Sequence, residues 1–199
     1  MRRSKQKGAL DQLGTGTYGN QAEKIDFTYF DEDILAAAGL DVRMFQVPMG
    51  GAKLRDQTNM TQAGMIPQGQ KLEVKAIKVM YTSDTTGGIK ATAADIQALF
   101  TQIARTVVSI KIQGKDTMGE WTLQELLGCS FAVAVNPAVT FMPPFPEPRF
   151  HGIFPLTRKI TLAALTPFYV QITRSVAPTA ATIGDRLKIG LNGILTRVG

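Results

Sequence analysis

The sequence contains one cysteine and one histidine, and no long apolar run. A single thiol, Cys129, excludes an intrachain disulfide. Within Cys129-Ser130-Phe131-Ala132-Val133 it reads as a small buried hydrophobe. A chain that needs no disulfide suits a reducing compartment such as the cytosol in which it would be made. No stretch approaches the roughly 20 apolar residues of a membrane-spanning helix, so no transmembrane segment is expected. Gly8 to Asn20 lacks the apolar core of a secretory leader, and no signal peptide is expected either.

The same shortages bear on chemistry. His151, in Phe150-His151-Gly152-Ile153, has no second histidine to work with, and a catalytic base needs an orienting partner. Cys129 has no electropositive neighbours in sequence to activate its thiol. One histidine and one cysteine do not make a usual zinc site. No catalytic residue, metal or cofactor is expected, and the chain reads as a non-enzymatic protein.

Weaker motifs reduce to bland readings. Gly14-Thr15-Gly16-Thr17-Tyr18-Gly19 matches the dinucleotide fingerprint in letters, but a basic polar arm precedes it where a strand is required. Asp31, Glu32 and Asp33 have the oxygen ligands for a hard cation, yet acids at a helix start explain them more simply. Asn59-Met60-Thr61 is a formal glycosylation sequon that stays unused without secretion. Trp121 reads as core, and no basic patch interleaved with aromatics calls for sequence-specific nucleic-acid readout.

What is present is an ordinary globular composition: 199 residues, 44% hydrophobic and 19% charged. That is enough for one domain with a sizeable core. Net charge is +6 and unevenly spread, with Arg2, Arg3, Lys5 and Lys7 in the first seven residues and no acid among them. Setting those four aside, the rest of the chain is nearly neutral. Residues 1–20 therefore read as a basic, Gly/Thr-rich arm, able to touch nucleic acid or an inner layer electrostatically.

Period-two apolar patterns dominate the remainder. Leu72, Val74 and Ala76 share one face, then Ile77, Val79 and Tyr81 share the other. A phase change of that kind predicts a bulge or a strand covered on both sides. Val108, Ile110 and Ile112 alternate, as do Ile160, Leu162 and Ala164; Phe168, Val170 and Ile172; and Leu187, Ile189 and Leu191. Met44 to Val47 and Phe131 to Val135 read as further strands. Two helices interrupt them. Ile96, Leu99, Phe100 and Ile103 place one over Thr92 to Ala104, and Thr122 with Glu125 and Gly128 caps a second over Thr122 to Leu127. Acids ahead of an alanine run closed by Gly39 predict a short helix from Asp31 to Ala38.

Six prolines between Asn136 and Pro155 exclude a helix and any central strand, which leaves a stiff surface loop. Its aromatics Phe141, Phe145, Phe150 and Phe154 need cover, from the subunit's own core or from a neighbouring subunit. The sum is an all-β protein, an antiparallel β-sandwich or jelly roll with one or two short inserted helices, spanning residues 21–199 behind the arm.

Three stretches make the chain resemble the single jelly-roll major capsid proteins of icosahedral bacterial viruses. They are Thr58-Asn59-Met60-Thr61-Gln62-Ala63-Gly64-Met65-Ile66-Pro67 leading into Leu72 to Val79; Pro167-Phe168-Tyr169-Val170-Gln171-Ile172; and Leu187 to Arg197. The resemblance implies a jelly roll standing upright or tangential in a many-copy shell, located in the virion, with the arm facing the interior or a neighbour. It implies a homo-oligomer, in contact with other virion proteins, and no active-site residues. The alternatives left open are a virion accessory (vertex or cementing) protein and a carbohydrate- or ligand-binding β-sandwich module.

Overall fold

The computed structural model describes residues 22–35, 40–82, 93–113, 117–128, 149–175 and 184–197, with the backbone alone described for 93–96 and 149–151. Eight strands and two helices lie among them. In chain order they are β1 (Glu23–Ile34), β2 (Asp41–Met44), β3 (Gln70–Thr82), α1 (Ala93–Ala104), β4 (Thr106–Ile112), β5 (Gly119–Thr122), α2 (Leu123–Leu127), β6 (Arg149–Leu162), β7 (Phe168–Arg174) and β8 (Arg186–Arg197).

The strands form two four-stranded antiparallel sheets, ordered β1-β8-β3-β6 and β2-β7-β4-β5. The pairs β1·β8, β2·β7, β3·β6 and β4·β5 join the first strand to the last, the second to the seventh, and so on inward. A long hairpin rolled once around a barrel axis gives that order, which makes the fold a jelly roll. Both sheets contribute to one buried cluster. Tyr29, Leu72, Ile77 and Leu191 from one sheet join Val108, Ile110, Val170 and Ile172 from the other.

Alternation decides which residues face inward. Along β7, buried Phe168, Val170, Ile172 and Arg174 alternate with partly exposed Tyr169, Gln171 and Thr173. β3 buries Leu72, Val74 and Ala76, then Ile77, Val79 and Tyr81, and its register with both β6 and β8 slips between Val74 and Ala76. Against β8 the phase change is a bulge with Lys75 as the extra residue, while against β6 the extra residues belong to β6, between Pro155 and Ile160.

α2 follows its sequence signature closely. The Thr122 hydroxyl accepts from the Glu125 N–H, and the Glu125 carboxylate accepts from the Thr122 N–H. The Thr122 N–H and hydroxyl, both donating to the Glu125 carboxylate, hold that carboxyl below its usual range. Gly128 ends the helix in the left-handed region, at φ 65°. Thr122→Ala should lower stability by about 1 kcal/mol in a denaturant titration. α1 covers the predicted span from Ala93, while Thr92 and its cap lie outside the described residues.

Three expectations are corrected. Asp31 to Ile34 belong to strand β1, not to a helix start, because Phe27 and Tyr29 set a period-two phase that carries Asp31 inward. The early strand is Asp41–Met44, ending before Val47, because Phe45 turns to φ 68° and breaks the ladder. The Pro-rich loop gives way at Arg149 to β6, which takes in Phe150, Phe154 and Pro155. β6 is an edge strand, where a proline can stand with its missing N–H away from a ladder, so the sequence bar against central strands still holds. Residues 1–20, Phe131 to Val135, Cys129 and the loop from 136 to 148 lie outside the described residues.

Candidate interaction surface

Two buried polar clusters hold titratable side chains. In β1, Asp31 is fully buried. It accepts from the Phe45 N–H at 2.6 Å and from the Lys53 ammonium at 2.9 and 3.0 Å, and Lys53 also reaches Asp33 at 3.1 Å. Burial pushes the Asp31 carboxyl up, against the opposing pull of the Phe45 N–H, Lys53 and Thr58. The Lys53 ammonium thus takes the place a metal cation would need. Around this pair the 54–59 loop seals the outer edge of β1. Asn59 accepts from the Phe30 N–H and donates to the Thr28 carbonyl, as a neighbouring strand would. The Asn59 amide is therefore committed to the fold.

The second cluster ties the sheets together at one end. The Tyr81 hydroxyl on β3 donates to the Asp185 carboxylate at 2.5 Å, and Arg174 at the end of β7 is buried close enough to act on Tyr81 electrostatically. Burial, with the Asp185 charge beside it, pushes the Tyr81 hydroxyl far up. All three side chains are sealed from solvent, so the cluster is a structural clasp. Among the described residues no group of three His, Cys, Asp or Glu side chains could hold a metal ion, and no helix is long and apolar enough to cross a membrane.

Two concavities open on the surface formed by the described residues. One, of about 490 Å³, is lined by Arg43, Gln46, Lys111, Gln113, Phe168 and Tyr169 among others. Arg43 stacks over the Tyr169 ring at 5.0 Å, and Gln46 donates to the Phe168 carbonyl. The second, of about 320 Å³, is a groove on the outer face of the β1-β8-β3-β6 sheet, with walls that are almost wholly apolar. Cross-strand register builds it. Phe30, Gly190, Lys78 and Ile153 stand in one row across the four strands, and Glu32, Lys188, Met80 and His151 occupy the next. Gly190 makes the floor, since a Cβ there would meet Thr28 Cγ2 at 2.9 Å and Lys78 Cβ at 3.3 Å. Ile153 is 66% exposed and Met80 38%, and the Lys188 ammonium lies over the Phe30 ring at 4.4 Å.

The outer face of this sheet carries more cations than acids, with Asp26 of β1 exposed among them. Lys71, Lys75, Lys78, Arg186 and Lys188 rise from β3 and β8, whereas Glu32 and Glu73 are each shared by two cations. The other sheet's outer face is balanced, with Asp41 and Glu120 against Arg43 and Lys111. This face is not evident in the sequence, because its charges come from strands far apart in the chain. The available signal was the polar half of each alternation, Lys71-x-Glu73-x-Lys75 and Lys188.

Of the residues singled out from sequence, Phe154 and Trp121 come together among the described residues. Phe154 is partly buried within the subunit, its ring 6.2 Å from that of Trp121. Phe150 is placed on β6 opposite Tyr81 by its backbone register. Phe141, Phe145, Arg2, Arg3, Lys5 and Lys7 lie outside the described residues. Trp121 packs against the core, whereas Tyr169 lines an open cleft. No protein-family model and no curated protein matches the chain.

Proposed function

We propose that this chain is a structural virion protein, a coat subunit that self-assembles into an icosahedral shell. The observation that carries the reading is the outer face of the β1-β8-β3-β6 sheet. Ile153, Met80 and Phe30 surround a groove there whose lining offers an incoming small molecule few polar groups to orient it. Ligand pockets combine apolar walls with placed polar groups, whereas apolar surface rimmed by charge is the pattern of a protein interface. Leu54, 70% exposed in the loop that seals β1, adds a second protruding apolar side chain beside that face. A jelly roll alone does not fix function, so these surfaces bear the weight.

The ligand-binding alternative rests on the larger cleft, where Tyr169 is the one candidate platform. Its ring is covered by Arg43, and Trp121 stands elsewhere. In the coat reading the arm of residues 1–20, with Arg2, Arg3, Lys5 and Lys7, touches genome or an inner layer.

Sedimentation velocity over a range of concentrations and ionic strengths tests the proposal. A coat subunit gives large, concentration-dependent species. A monomer at every concentration and salt condition overturns the reading. Deleting residues 1–20 should leave the thermal melt of the sandwich unchanged while lowering particle yield or co-purifying nucleic acid. Unchanged yield and unchanged nucleic-acid content would remove the arm's role.

A further inference from the structure

Resting on the coat reading, we infer that the groove on the β1-β8-β3-β6 sheet receives the back of the next copy. The contact is head-to-tail and sets Ile153 and Lys78 of one subunit against Met118 and Glu120 of its neighbour.

The groove asks for an apolar occupant, and its lips ask for an anionic one. Lys188 is engaged by Glu32 and by the Asp56 carbonyl, but Lys78 makes no ion pair among the described residues. Pairing this face with itself about a two-fold axis would press lysines on lysines, which disfavours an isologous contact. The complementary surface is on the opposite sheet. Met118 is 39% exposed just before β5, and Glu120, exposed on β5, likewise makes no ion pair among the described residues.

Geometry places the two patches suitably. The Trp121–Phe154 ring contact holds β5 over β6 on one flank of the sandwich. Strand alternation then turns Glu120 and Ile153, the neighbours of those two rings, outward on opposite sides. A donor patch and an acceptor patch on opposite faces of one flank are what a heterologous contact requires. Such contacts close into rings when the rotation between copies closes. The sheets would then stand across the shell, with each subunit's cationic face on its neighbour's balanced face.

The test is a charge-swap cycle read by sedimentation and particle yield, after confirming that wild-type protein assembles. Lys78→Glu alone and Glu120→Lys alone should each weaken association about tenfold or more, and the double variant should recover most of that loss. Ile153→Ser, at an exposed position, should also weaken association about tenfold while the monomer's melt stays put. Singles that assemble like wild type, or a double no better than its worse parent, overturn the contact and leave the coat reading standing. Wild-type protein that never assembles sinks both. If Ile153→Ser assembles normally but loses binding to vesicles containing anionic phospholipid, or to single-stranded DNA, the face belongs to that partner and the inference fails.

Discussion

Gly193→Ala should lower stability by about 3 kcal/mol or more and cut the soluble yield. Gly193 lies in β8 between β1 and β3, opposite Phe27 on one side and Val74 on the other. A Cβ built there would stand 1.9 Å from the Glu73 carbonyl oxygen, 2.7 Å from its carbon and 2.9 Å from Val74 Cα. All three are backbone atoms, so no side chain can swing aside. They flank the bulge at Lys75, where β3 is already pinned to β6 and β8. Relief requires β8 to separate from β3, and β8 is a central strand of the sheet. Overpacking of this kind costs about 3 kcal/mol or more, a large part of the roughly 5–15 kcal/mol that stabilises a typical domain. Soluble yield and a circular-dichroism melt check it. A variant melting within a few degrees of wild type would mean that β8 and β3 do not meet in this register.

Asp31→Ala should lower stability by about 3–5 kcal/mol, the usual cost of removing one member of a buried ion pair. Its carboxylate satisfies the Phe45 N–H and the Lys53 ammonium, whose side chain is only 12% exposed. Phe45 is held at φ 68°, a conformation that bulky L-residues rarely adopt, and the hydrogen bond to Asp31 helps to hold it there. Removing the carboxylate leaves a buried donor and a mostly buried cation whose remaining ion-pair partner among the described residues is Asp33. Asp31→Asn should lose less, because an amide oxygen still accepts from Phe45. The double variant Asp31→Leu with Lys53→Met removes both charges and should recover most of the loss, since apolar replacements of buried pairs are often neutral. Urea titrations of the four proteins measure these differences. A wild-type-like Asp31→Ala would show that the loop from Phe45 to Asn59 does not depend on this pair.

Much of the fold was legible because its signals are local. The alternation of Phe168, Val170 and Ile172 against Tyr169, Gln171 and Thr173 depends on neighbours in sequence alone, and β7 follows it. Thr122, Glu125 and Gly128 specify a cap and a stop within one short helix. The bulge in β3 was visible because a slip of one residue flips every later side chain. Misreadings came where tertiary partners overrule local preference. Asp31-Glu32-Asp33 before an alanine run has helix-start composition, but the ammonium that makes Asp31 tolerable inside a strand comes from Lys53, in a separate loop. Proline argues against pairing, so the sequence extends the Pro-rich loop to Pro155, and it does not reveal which strand will be an edge. The apolar groove on the cation-bearing face was least legible. Phe30, Met80, Ile153 and Gly190 each look like an ordinary strand residue, and only the order β1-β8-β3-β6 brings them together.

Negative-stain electron microscopy of the concentrated, purified chain puts the central claim to the most direct trial. Closed particles of uniform diameter, built from this polypeptide alone, are the predicted image. Fields of isolated small molecules at every concentration would contradict it.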